Sequence, residues 1–179
     1  RSIDDAEKLR DAIGAGTRVA IVGGGWIGLE VAASARERGA EVTVVERSDL
    51  PLGHVLGDEV AQVFFDLHKE HGVTFHTGIG VNGILTDGGK ATGLDLDGEL
   101  TVDADVVLVA AGAVGNLEVA ESAGLDIDGG GVLVSAGLRS SDPDIYVVGD
   151  IANAEHPILG GRVRTDRVDG LLLDRGYRE

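Results

Sequence analysis

Apolar positions change period several times along the chain. From Asp4 to Ile13 they recur at helical spacing, at Ala6, Leu9 and Ile13, with Ser2 or Asp4 available as the cap. Thr17 to Val22 (TRVAIV) is short, β-branched and continuously apolar toward its end, which predicts a strand buried on both faces of a parallel sheet. A glycine cluster follows, then a small-residue helical run from about Trp26 to Arg38 that Gly39 stops. Glu41 to Glu46 (EVTVVE) reads as a second strand. Gly57 to His71 places Val60, Val63, Phe64 and Leu67 on one helical face, expected to cross back over the sheet to a third parallel strand, Val73 to Thr77.

From Gly78 the period shortens to two. Gly78 to Thr86, Lys90 to Leu96 and Glu99 to Val102 are short alternating segments divided by TDGGK and DLDGE, both hairpin signals, and predict a three-stranded antiparallel meander. Ala104 to Gly112 (ADVVLVAAG) returns to the parallel sheet. Beyond it, Asn116 to Ala123 is a short helix and Gly129 to Val134 a strand. Ser140 to Asp150 (SSDPDIYVVGD) is a loop leading into a buried strand that ends in Gly149-Asp150. The pattern predicts an α/β chain with a Rossmann-like parallel sheet, an antiparallel meander and a second part after Gly112.

The chemistry begins at the first strand-to-helix turn. Gly23, Gly25 and Gly28 have the spacing G-x-G-x-x-G. Such a turn uses one glycine for backbone freedom, a second for close approach to a pyrophosphate and a third for tight packing of helix on sheet. Unpaired N–H groups and the positive dipole end of the helix that follows favour a phosphate anion. In a chain with 29 glycines among 179 residues the spacing alone is weak. The strand before it and the helix and strand after it give it weight. Glu46 then closes the second strand 18 positions beyond Gly28, near the roughly 20 expected of a carboxylate that binds a ribose. A purely structural glycine turn is the alternative.

Zero cysteines leave the chain no dithiol chemistry and no thiolate ligands, and the five histidines show no ligand-like spacing, so no metal is expected. The formal charge of −16 argues against nucleic acid and anionic membrane partners. No apolar run approaches a membrane span and no cationic, apolar leader opens the chain, so a cytoplasmic setting is expected. Asp150 is a candidate ligand residue if it sits at the carboxyl edge of a parallel strand, where open α/β sheets bind ligands; a helix-capping aspartate is the alternative.

The ordered segments GGGWIGLE, VTVVE, ADVVLVAAGAVGN, SSDPDIYVVGD and HPILGGRVR resemble the pyridine nucleotide-disulfide oxidoreductase superfamily. Within it they are most similar to the NADH-dependent ferredoxin reductases of oxygenase electron-transfer chains, the putidaredoxin reductase-like type. The resemblance runs to about Thr165. It implies an FAD domain interrupted by an NAD domain, with residues 1–112 as the NAD(H)-binding domain and 113–179 as an incomplete trailing segment of the FAD domain. It further implies that the chain is a piece, lacking the first half of the FAD domain and the C-terminal domain.

The resemblance also implies roles. Gly23, Gly25, Trp26, Ile27 and Gly28 form the NAD turn, and Glu46 takes the adenosine ribose hydroxyls, favouring NAD over NADP. Arg47 blunts that preference, although no second basic residue follows before Lys69. Gly112 lies under the nicotinamide-side pyrophosphate or ribose, and Asp150 binds the ribityl chain of FAD. Glu30, at the end of IGLE, stands by the nicotinamide as the catalytic candidate; an ordinary acid in the first turn of a helix is the alternative. Val168 and Gly170 depart from the family pattern. The implied activity is hydride transfer from NADH to FAD and then electrons to an iron–sulfur ferredoxin-type partner. A dithiol disulfide reductase of the same superfamily and a non-catalytic NAD-binding module are the alternatives.

Overall fold

The computed structural model describes residues 2–158 and 160–164. The chain divides into two compact units, residues 1–112 and 113–179.

In the first unit, α1 (Ile3–Ala12) opens on a reciprocal cap: the Asp5 N–H donates to Ser2 Oγ and the Ser2 N–H to Asp5 Oδ2. β1 (Arg18–Val22), α2 (Trp26–Glu37) and β2 (Glu41–Glu46) form the first βαβ unit. A short turn of helix not expected from the sequence, α3 (Gly53–Leu56), precedes α4 (Asp58–Glu70) and β3 (Val73–Thr77). β4 (Val81–Asp87), β5 (Lys90–Leu96) and β6 (Leu100–Asp103) are the expected meander, and β7 (Val106–Val109) returns to the main sheet.

The main sheet has the order β3-β2-β1-β7, with every pair parallel. β1 (RVAIV) and β7 (VVLV) are nearly continuous apolar runs because both faces of the sheet are covered. On one face Ile13, Ala32, Ala35, Val42 and Val44 pack with Val19 and Ile21. On the other, Ala20 and Val45 meet Leu94, Leu96 and Val102 of the meander. The amino end of β1 is tied to the chain before β7 by Arg18, whose guanidinium meets Asp105 Oδ1 at 2.7 Å and holds that carboxyl down at about 2.

α4 shows a correction. Of the four residues expected to cover the sheet, Val60, Val63 and Leu67 are exposed, Val63 at 66%. The inward face is carried by Ala61, which is fully buried, with Phe64, Phe65 and His68 partly buried beside it. Phe65 packs on Phe75 of β3 with the rings tilted and their centroids 4.8 Å apart. Phe65 brings a large apolar ring to the sheet and Phe64 one to Trp26, and the valine stripe turns away.

The second unit contains α5 (Glu118–Ser122), β8 (Ile127–Asp128), β9 (Gly131–Val134), β10 (Ala152–His156) and β11 (Gly161–Arg164), with strand order β11-β10-β9-β8. Its core is Ala120, Leu125, Val132, Val134, Val147 and Ala152. The buried strand expected to end at Gly149-Asp150 is absent. Ile145 to Val148 makes a single bridge, Arg139 to Tyr146, and Gly149–Ile151 is a 3-10 turn before β10. Asp150 is exposed in that turn, so it neither ends a parallel strand nor caps a helix. Val168 and Gly170 lie outside the described residues. Among the described residues no helix is long and apolar enough to cross a membrane.

Candidate functional site

Three strands deliver the candidate residues to one edge of the main sheet. Val22, Val45 and Val109 are in register across β2-β1-β7. The chain leaves their carboxyl ends at Gly23, Glu46 and Ala110, and Gly112 follows two residues on with φ 110°. This is the edge where ligands bind in open α/β sheets.

The three spaced glycines do different work. Gly23 has φ 103°, and a Cβ there would stand 2.5 Å from the Ala110 carbonyl oxygen. Its N–H donates to Val45 O at 2.8 Å. Gly28 is buried in α2, and a Cβ on it would collide with the Gly23 carbonyl oxygen. That absence of a side chain lets the helix lie against the end of β1. Gly25 is the N-cap, at φ −77° and ψ −176°, a backbone any residue can adopt. Among the described residues no heavy atom lies within 4 Å of its Cβ direction and no side chain caps the helix. The turn therefore has an open side beside the amino end of α2, suited to an anion.

Gly28→Ala is expected to destabilise the fold by about 1–3 kcal/mol, since the added methyl forces α2 off β1. A lowered urea midpoint with an unchanged slope would register it.

Glu46 is held from two sides. Its Oε2 accepts the Gly24 N–H at 2.7 Å and its Oε1 accepts the Ser48 N–H at 2.8 Å. A carboxylate has about four acceptor positions, so two remain for a diol. Gly24 is buried and its Cβ direction is filled, with Pro51 Cβ at 3.0 Å. Gly24 and Ser48 were not among the residues singled out in the sequence. They act through backbone N–H groups, which leave no side-chain signal.

The other candidates are placed as follows. Trp26, the first residue of α2, meets Phe64 of α4 edge to face with centroids 5.6 Å apart. Its buried Nε1 has no hydrogen-bond partner among the described residues. Ile27 and Arg47 are exposed. Glu30 is exposed and is the fifth residue of α2, so it lies outside the first turn, which carries no acid. The helix-dipole explanation for it falls away. Asp150 belongs to the second unit. Among the described residues no group of three or more His, Asp and Glu is placed to hold a metal ion.

An open glycine turn, an uncapped helix start and an acid closing the next strand fit a dinucleotide in type and order. Residues 1–168 match the pyridine nucleotide-disulphide oxidoreductase family. The chain belongs to this family. Rhodocoxin reductase of Rhodococcus erythropolis is 37% identical over 172 residues, 96% of this chain and 40% of that protein. The anthranilate 1,2-dioxygenase system ferredoxin–NAD(+) reductase component of Burkholderia cepacia is 40% identical over 166 residues, 93% of this chain and 40% of that one. The crystal structure of the ferredoxin reductase for the CYP199A2 system from Rhodopseudomonas palustris superposes with a TM-score of 0.84 at 36% identity, covering 92% of this chain and 40% of its own. The chain thus spans about 40% of the length of these family members.

Proposed function

We propose that residues 1–112 are the NAD(H)-binding domain of a flavin-dependent NADH:ferredoxin-type oxidoreductase, and that 113–179 are a trailing segment of its FAD domain. The observation that carries the first part is the turn at 23–28, open at Gly25 and facing a carboxylate, Glu46, already fixed by two backbone donors. The α2 N-terminus and the turn would take the pyrophosphate, and Glu46 the adenosine ribose. Gly112 would let the chain pass close to the nicotinamide side, and Glu30 would stand near the ring as the catalytic candidate. NADH held there would supply a hydride for a flavin, and the flavin would supply single electrons for an iron–sulfur ferredoxin. Relatives that are themselves ferredoxin reductases support the partner class.

The residues present suit FAD poorly. Exposed Asp150 is the one flavin contact assigned by resemblance, and the exposed Val114, Val119 and Val148 of the second unit are surface of the kind a missing domain covers.

NADH is expected to bind more tightly than NADPH by tenfold to a hundredfold, the equivalent of ~1–3 kcal/mol for placing a 2′-phosphate against Glu46. Exposed Arg47, followed by no second Lys or Arg before Lys69, makes an incomplete clamp for that phosphate. Titration calorimetry with both cofactors decides, and equal affinities would remove the assignment of Glu46. Glu46→Ala should narrow the gap.

A further inference from the structure

We infer that Glu46 is also a positioning residue for the phosphate-binding turn, so that the adenosine and phosphate parts of the site are coupled through one carboxylate; this rests on the NAD(H) reading above. The last backbone rung between β1 and β2 is the Gly23 N–H donating to Val45 O at 2.8 Å. The next donor along, the Gly24 N–H, finds the Glu46 side chain instead, at 2.7 Å. The carboxylate therefore ties the turn, between Gly23 and Gly25, to the end of β2. Its second oxygen is held by the Ser48 N–H at 2.8 Å, and the Glu46 carbonyl accepts the Ile79 N–H at 3.4 Å. Glu46 is thus pinned along its length, and pins Gly24 in return.

The space around Gly24 makes the coupling mechanical as well as electrostatic. A Cβ on Gly24 would stand 3.2 Å from Glu46 Oε2 and 3.0 Å from Pro51 Cβ. The glycine and the carboxylate cannot shift independently. Hydrogen bonds to a charged acceptor are the stronger kind, and a buried N–H left unpaired is costly, so removing the carboxylate should loosen the turn even for a ligand that never touches a ribose at Glu46. Coupling between sites is reciprocal. A disturbance at Gly24 should then degrade discrimination at the 2′ position.

The test uses reduced nicotinamide mononucleotide, which carries a phosphate but no adenosine ribose, titrated into the chain and its variants and followed by amide NMR shifts. Glu46→Ala should weaken its binding about fivefold to tenfold, because the Gly24 and Ser48 amides both lose their charged acceptor and the turn loosens. It should also speed hydrogen exchange at the Gly24 and Ser48 amides. Gly24→Ala should reduce the NADH-over-NADPH preference at least about threefold. Glu46→Gln, which keeps the size but sets an NH2 against one backbone donor, gives an intermediate loss and serves if Glu46→Ala does not fold. Unchanged mononucleotide affinity in Glu46→Ala, with NADH alone weakened, would overturn the coupling. If the wild-type chain bound neither ligand, the NAD(H) reading would fail, and unprotected Gly24 and Ser48 amides in that chain would overturn the clamp separately.

Discussion

Gly25→Val is expected to abolish NADH binding while leaving the chain folded. The substitution puts a Cβ where no heavy atom of the described residues lies within 4 Å, on a backbone at φ −77° that valine adopts without strain. The added Cβ displaces none of the described residues, so the chain should stay folded, with its unfolding midpoint lowered only by the poorer N-cap that valine makes. The added volume falls on the open side of the turn, where the pyrophosphate would approach the amino end of α2. Exclusion of the phosphates from those N–H groups should cost at least about 3 kcal/mol, more than a hundredfold in affinity. Circular dichroism melts and calorimetry on the same sample separate the two effects. Normal NADH binding by Gly25→Val would make the turn structural only. Gly28→Ala is the matched opposite, a methyl with no room.

The second large effect concerns the flavin. The chain on its own is expected to retain no FAD and to show no NADH-driven dye reduction. An FAD pyrophosphate needs its own glycine turn and helix start, and the glycine turn described above is assigned to NAD(H). In the second unit α5 is only five residues long, and Asp150 sits exposed in a 3-10 turn. Without an enclosing pocket the two rings are not held in a reactive geometry, a contribution worth roughly 7–11 kcal/mol of barrier in well-oriented reactions. The chain would be incubated with excess FAD, desalted, and examined for a flavin spectrum and turnover. A stoichiometric spectrum with turnover would show that residues 113–179 hold a complete flavin site.

The sequence was most legible where one residue type has one cause. β1, β2, β7 and the meander were expected within a few residues of where they lie, because doubly covered strands are continuously apolar and hairpins need their glycines. The sequence offers Ser2 or Asp4 as the first cap, and the structure uses Ser2. α4 was misread because it carries two apolar stripes, and periodicity alone does not say which one the sheet will take. Phe64 and Phe65 with fully buried Ala61 won over Val60, Val63 and Leu67. The run Ile145 to Val148 has the composition of a strand, but a strand exists only when paired, and among the described residues its one pairing is the bridge at Tyr146. At the site, the glycine spacing and Glu46 were visible as side-chain chemistry. The two amides that hold Glu46 were not, because every residue but proline carries one.

The central claim is that the site is a dinucleotide site on the first unit. It is tested most directly by titrating NADH into the isolated chain with amide-resolved NMR. The account predicts saturable binding of one NADH per chain, with the largest shifts at residues 23–28, 46–48 and 112. No saturation by about 1 mM NADH, a ceiling of roughly 4 kcal/mol of binding free energy, or shifts concentrated at residues 131–156 instead, would contradict it.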